Sequence, residues 1–192
     1  MKNRDKALIA LAITAVFLLS ECTSSPSTTT YGAEFTEISD SPITKEGYVP
    51  EGKTLNIVIN ATTKNITKVS VQLAFYDDSG DGCTDVMGLE VDSPFPNALY
   101  LPQQWLEADK TLVINVTIQQ VPKEKTGDSK AKLQDYLDGI TNTQGSGKWT
   151  ISVTDVDAQP NCPSPKAPDA GNSWVLLISP YHFTGNITKL GS

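Results

Sequence analysis

The feature that most constrains the fold is the run at residues 66–76, where large apolar side chains recur at every second position. A period of two places these side chains on one face of an extended chain, which predicts a half-buried β-strand. The residues concerned are Val69, Val71, Leu73 and Phe75. Further strands are predicted at 54–61, 86–92, 110–121, 147–155 and 172–178.

The order of these segments predicts the fold class. One helix is predicted near residues 128–139, with an aspartate at its start and Gly139 at its end. Helices do not alternate with the strands, so a parallel α/β sheet is not expected. With 192 residues of which 39% are hydrophobic, the chain suits one globular domain. We predict an all-β, antiparallel, jelly-roll-like β-sandwich at residues 33–192.

The N-terminus predicts export. Three basic residues precede residues 7–19, which are uncharged and mostly apolar. That length matches the core of a signal peptide and falls short of the roughly 20 residues that span a bilayer comfortably. Residues 1–21 are therefore interpreted as a signal peptide or a retained membrane-anchor helix.

Cys22 follows this segment and precedes a Ser/Thr-rich tether at residues 22–32. The arrangement resembles a prokaryotic lipoprotein signal, which implies a lipid anchor on Cys22. Glu21 departs from that pattern, since a small residue normally precedes the cysteine. Cleavage nearby and retention of the segment are the alternatives.

If Cys22 carries the anchor, Cys83 and Cys162 remain as a pair. In an exported protein they are expected to form a disulfide. It would close a loop of roughly 80 residues, worth about 4–5 kcal/mol in the chain-entropy model. Two unrelated free thiols are the alternative.

An acidic segment between two predicted strands is the candidate metal site. Oxygen-bearing side chains alternate there, and Gly82 permits a sharp turn, as in calcium-binding loops. The expected ion is a structural Ca²⁺, although the usual glutamate at the last ligand position is replaced by Gly88. A solvated turn held by the cysteine is the alternative. The site residues are Asp77, Ser79, Asp81, Cys83 and Asp85.

Four Asn-x-Thr sequons are candidate glycosylation sites, at Asn60, Asn65, Asn115 and Asn186. Among the tryptophans, Trp149 and Trp174 share parity with apolar neighbours and are expected in the core. Trp105 lies in a predicted loop, where its ring is a candidate platform for a sugar ligand.

The formal net charge of −7 disfavours nucleic acid as a partner, because such binding needs a basic surface. His182 is the sole histidine, and no nucleophile motif lies near it. Catalytic activity is not expected.

Residues 147–155 and 171–176 resemble the ending of proprotein-convertase P domains, where glycine and tryptophan precede alternating apolar residues. Residues 89–94 are similar to the P-domain strand that ends in Ser-Pro. The resemblance implies a jelly-roll module of the kind found on secreted proteases and prokaryotic surface proteins.

These observations favour a non-enzymatic, membrane-tethered cell-surface protein with an adhesive, binding or envelope-structural role. Its partners would be the membrane, through the N-terminal anchor, and envelope proteins, glycans or copies of itself. One alternative is an extracellular filament subunit that donates residues 31–38 to a neighbour as a strand. A carbohydrate-binding accessory module is the other.

Overall fold

The computed structural model describes residues 29–76, 85–95, 104–107, 110–156 and 170–191. The predicted signal or anchor helix at 1–21 lies outside these ranges. Within them, no helix combines the length and hydropathy needed to cross a bilayer. In chain order the elements are β1 Thr30–Ser39, β2 Ile43–Pro50, β3 Thr54–Ala61, β4 Ile66–Tyr76, β5 Val86–Asp92, β6 Gln104–Glu107, β7 Thr111–Thr117, β8 Lys125–Gly127, α1 Lys130–Ile140, β9 Gly147–Val156 and β10 Gly171–Gly191.

The strand pairing is nested, as if the chain were folded once in the middle. β2 pairs with β10, β3 with β9, β4 with β7 and β5 with β6, all antiparallel. These pairs assemble into two sheets, β2-β10-β4-β7 and β3-β9-β5-β6. This is the jelly-roll arrangement of a β-sandwich, and it confirms the predicted fold class.

The core lies between the two sheets. The alternating residues of β4 predicted to face inward are at most 1% exposed. Trp149 and Trp174 are also buried, as their parity predicted, and Gly47 opposite Trp174 leaves room for the indole ring. The largest fully buried side chains include Leu73, Phe75, Met87, Leu89, Ile114, Trp149, Ile151, Leu176 and Ile178.

The last strand, β10, spans both halves of the molecule. β2 pairs with its first half and β1 with its second half. Pro180 sits at the changeover, where residues 40–42 separate the two partner strands. Its carbonyl accepts a hydrogen bond from the backbone N–H of Asp40 at 2.9 Å. A strand residue's N and O point to the same neighbour, so the missing N–H of Pro180 faces the interruption.

A small extension of the first sheet carries the helix. β8 pairs with the other edge of β1, and α1 packs against β1, β8 and β10. Phe35 contacts the rings of Tyr136 and Phe183 edge to face, and Leu133 is buried. The helix is capped by Ser129, whose side chain accepts from the N–H of Lys132. This position is one residue later than the predicted aspartate cap.

Glu37 in β1 joins this extension to β4. The hydroxyl of Thr67, which is buried, donates to Glu37 at 2.5 Å, and the Lys68 ammonium lies 3.0 Å from the same carboxylate. The Thr67 hydrogen bond holds the pKa of Glu37 below its usual 4.5; partial burial opposes this effect and Lys68 adds to it.

Because the pKa of Glu37 is lowered by folding, its stabilising effect should be complete above the unfolded-state pKa. It should be lost as pH falls below about 4.5, toward the folded-state pKa. We expect Glu37→Gln to lower the free energy of unfolding at pH 7 by up to about 1 kcal/mol, with a difference that shrinks toward pH 3. Urea titrations at several pH values measure it. Glu34→Gln, on the same strand, is the control, and an unchanged difference at pH 3 would contradict the assignment.

Candidate functional site

One end of the sandwich contains the buried polar residues Asp85, Asp155 and Asn172. β2 and β9 end there, whereas β5 and β10 begin there. We call it the loop end, because residues 77–84 and 157–169 leave and rejoin the described chain at this end. The opposite end, where Thr30 of β1 pairs with Gly191 of β10, is called the tether end.

Three polar side chains meet in the interior of the loop end. Asp85 is 2% exposed, Asp155 is 1% exposed and Asn172 is fully buried. The carboxamide nitrogen of Asn172 donates to Asp85 at 2.7 Å and to Asp155 at 3.0 Å. Two carboxylates, one just before β5 and one in β9, are thus held by one amide group, and this set is called the Asp–Asn–Asp cluster.

The backbone at Gly171 sets the position of Asn172. Gly171 has φ of +122°, and a Cβ there would lie 2.1 Å from the carbonyl oxygen of Val49. This close approach to β2 is open only to glycine. It starts β10 in register with β2, so that Asn172 pairs with Val49 and points into the core.

The strand parity explains why all three members are buried. Asp85 precedes Met87 and Leu89 at the inward-facing positions of its strand. Asp155 continues the inward series of Trp149, Ile151 and Val153, and Asn172 begins that of Trp174, Leu176 and Ile178. Each polar residue therefore occupies the place of an apolar side chain at the edge of the core.

Of the predicted metal site, the structure describes Asp85 alone. Asp77, Ser79, Asp81 and Cys83 lie outside the described residues. Asp155 and Asn172, the neighbours that the structure brings to Asp85, were missed from the sequence. Over the described ranges, no group of three or more histidine, cysteine, aspartate or glutamate side chains converges as a metal site. A cluster completed by an asparagine falls outside that definition.

The predicted disulfide and lipid anchor also remain predictions. Cys22, Cys83 and Cys162 lie outside the described ranges. The described residues that flank the segments containing Cys83 and Cys162 are all at the loop end.

The four sequons differ in exposure. Asn65 is half-buried with φ of +59°, and its side-chain oxygen accepts the backbone N–H of Asn142 at 2.9 Å. It stabilises the connection between β3 and β4, which crosses from one sheet to the other. The three exposed sequon residues are Asn60, Asn115 and Asn186.

Trp105 lies in strand β6, not in the predicted loop. Its side chain is 54% exposed and pairs across the sheet with Gly88, so no side chain opposite covers the ring. A shallow groove of about 430 Å³ runs beside it, lined in part by Glu107 and Lys110. The indole is therefore exposed beside two charged side chains.

His182 lies at the junction of β1 and β2. Its Nδ1 is 3.1 Å from one oxygen of Asp40, whose other oxygen accepts from the Thr63 hydroxyl at 2.8 Å. The carboxylate, not the imidazole, is central in this arrangement. A catalytic triad instead places the imidazole between the nucleophile and the orienting acid, so these three residues do not have the geometry of a triad.

Comparison with known proteins shows weak structural likeness only. No protein-family model and no curated protein matches the sequence. A similar solved structure is the cryo-EM structure of a semi-empty virus-like particle of a nodavirus of the giant freshwater prawn Macrobrachium rosenbergii. It shares 11% identity, covers 89% of each chain and has a TM-score of 0.43. A likeness at that level carries no argument about function.

Proposed function

We propose that this protein is an exported jelly-roll module, tethered to the cell membrane by its N-terminus, that presents its loop end to binding partners at the cell surface. The observation that carries the proposal is the polarity of β10. Its 21 residues span roughly 65–70 Å at the usual strand rise, from the loop end to the tether end.

The position of β1 supports one orientation for a protein anchored through Cys22. β1 begins at Thr30, eight residues after Cys22. Even fully extended, a chain of that length reaches roughly 30 Å at most. A lipid on Cys22 therefore holds the tether end near the bilayer and directs the loop end away from it.

The location and the anchor can be tested together on cells that express the full chain. We expect the native protein to partition into detergent, to carry a lipid on Cys22 by mass spectrometry, and to be removed by protease added to intact cells. Cys22→Ser should release the protein into the medium or leave it unprocessed, whereas Ser25→Ala in the same tether should change nothing. Protection from protease on intact cells would contradict the proposal.

Carbohydrate binding is a second candidate, because of the exposure of Trp105. An exposed indole that lies opposite a glycine offers one flat apolar face on which a sugar ring could stack. A glycan array probed with the full chain tests it. We expect Trp105→Ala to abolish any signal and Tyr76→Ala, an exposed aromatic on the other sheet, to retain it. A signal that survives Trp105→Ala would contradict this candidate.

The filament alternative requires residues 31–38 to pair with a neighbouring molecule. In this structure the same residues pair with β10 and β8 of their own chain. A filament would need that pairing to be exchanged between copies, so we give precedence to the tethered module. Regular fibres in electron micrographs of native cells would reverse that order. Membership of the P-domain family likewise remains a proposal, supported by the positions of its motif in β5, β9 and β10.

A further inference from the structure

Strand β3 lies at the edge of the second sheet. Among the described residues it pairs with β9 alone, so one side of the strand presents unpaired backbone N–H and C=O groups. Natural proteins usually protect such an edge with a charged residue, a proline or a bulge. Residues 54–61 contain neither a charge nor a proline, and their register with β9 runs without a shift. An edge of this kind is a template on which another strand can pair.

The hydrogen bonds to β9 show which backbone groups of β3 face the open side. The N–H of Asp155 donates to the carbonyl of Lys53 at 3.0 Å, one position before the ladder begins at Thr54. Hydrogen-bonded pairs alternate along an antiparallel ladder, so the odd-numbered residues of β3 bond to β9. The even-numbered residues direct their N–H and C=O groups to the open side, and all of them are exposed: Thr54, Asn56, Val58 and Asn60.

The sequence of β3 is complementary to itself. Residues 56–60 are Asn-Ile-Val-Ile-Asn, which reads the same in both directions about Val58. If two copies pair antiparallel with Val58 opposite Val58, Asn56 of each copy lies opposite Asn60 of the other. Val58 is 49% exposed, and its N–H and C=O are among those that face the open side. The valine pair and both asparagine pairs would therefore each exchange two backbone hydrogen bonds.

Side chains and charge favour the same partner. Leu55 is 40% exposed and would lie opposite the small Ala61 of the second copy. The carboxamides of Asn56 and Asn60 can donate and accept across the pair. The formal net charge of −7 makes two copies repel, but β3 adds no charge to the contact. A charged peptide would find no opposite charge on this strand, so a second copy is the better partner.

We propose that β3 is a self-association edge, on which two copies pair antiparallel about Val58 and join their four-stranded sheets into one continuous sheet. The dimer uses the same residues on both sides of a two-fold axis normal to the sheet. β3 begins at the loop end, so antiparallel pairing points the two tether ends in opposite directions. With the proposed lipid tether, on which this last step alone rests, the pair joins proteins anchored in two facing membranes.

Sedimentation of the full chain in detergent, over a range of protein concentrations, tests the pairing. We expect a reversible equilibrium between monomer and dimer. Val58→Lys places like charges opposite each other at the two-fold axis and should raise the Kd about tenfold or more. The control Val113→Lys changes another exposed valine, in the edge strand β7 of the other sheet, and should leave the Kd unchanged. The measurement is repeated after removal of N-glycans, because Asn60 is also a candidate glycosylation site.

Val58→Pro tests the backbone hydrogen bonds themselves. It removes an N–H that β9 does not use, so the monomer keeps its ladder while the dimer loses its central bonds and the Kd rises. In the native chain, amide exchange at Val58 should be slower at high protein concentration than at low concentration, and exchange at Val113 should not change.

Two results would overturn the proposal. One is a native chain that stays monomeric up to about 100 μM with and without N-glycans, and the other is a dimer that both Val58 variants leave intact. The membrane step has its own measurement. Lipid vesicles carrying the native chain should cluster, and vesicles carrying Val58→Lys should not. A dimer in detergent without vesicle clustering would support the β3 edge and contradict the orientation that the tether implies.

Discussion

Replacing Trp149 with alanine should lower the free energy of unfolding by about 3–5 kcal/mol. Trp149 is fully buried between the two sheets, and its indole N–H donates to the carbonyl of Gly145 at 2.8 Å. The substitution removes one of the two tryptophan side chains of the core and leaves a cavity that the paired strands on either side are too rigid to fill. It also leaves a buried carbonyl without its donor, which adds to the loss.

Trp105→Ala is the matched control for this prediction. It removes the same side chain from the same sheet, but at a position that is 54% exposed, so the change should stay within about 0.5 kcal/mol. Urea unfolding followed by far-ultraviolet circular dichroism measures both variants without relying on tryptophan fluorescence. Equal losses in the two variants would mean that Trp149 does not lie in the core.

The second large effect concerns the cysteines. Replacing Cys83 and Cys162 together with serine should cost about 4–5 kcal/mol if they form the predicted disulfide, because the bond restricts the unfolded chain over a loop of roughly 80 residues. Unfolding of the native protein with and without a reducing agent gives the same comparison by another route. A non-reducing peptide map locates the bond.

Two controls make this prediction specific. Adding the reducing agent to the double variant should produce no further loss, and Cys83→Ser alone should be as unstable as the double variant. Rapid alkylation of Cys83 in the native, unreduced protein would contradict the disulfide and favour the alternative of free thiols.

The sequence predicted the interior of the fold well, because residues buried on one face of a sheet must alternate. β3, β4 and β5 have the predicted bounds, since their apolar positions repeat without interruption. β2 was not predicted as a strand. Among its residues only Val49 is buried, and glycine and charged residues occupy the positions that would reveal a period of two. β10 was predicted as a strand at 172–178 that ends before Pro180, because proline normally ends a central strand.

The candidate site was predicted only in part. Asp85 was identified from the acidic segment, where carboxylates are close in sequence. Asp155 and Asn172 are distant in sequence, and pairing between strands brings them together. Their signal was nevertheless present, because each is a polar residue at an inward position of an apolar strand. Converting that signal into a site required knowledge of which strands are neighbours.

The pairing of β1 with β10 determines how the molecule bears mechanical load. A pull on the N-terminus acts along the axis of β1, away from the sandwich, and slides this strand lengthwise against β10. All the hydrogen bonds that join Thr30–Ser39 of β1 to β10 are then strained at the same time, instead of breaking one after another. We expect a module tied down through this strand to resist detachment by fluid flow far better than one whose first strand peels from its end.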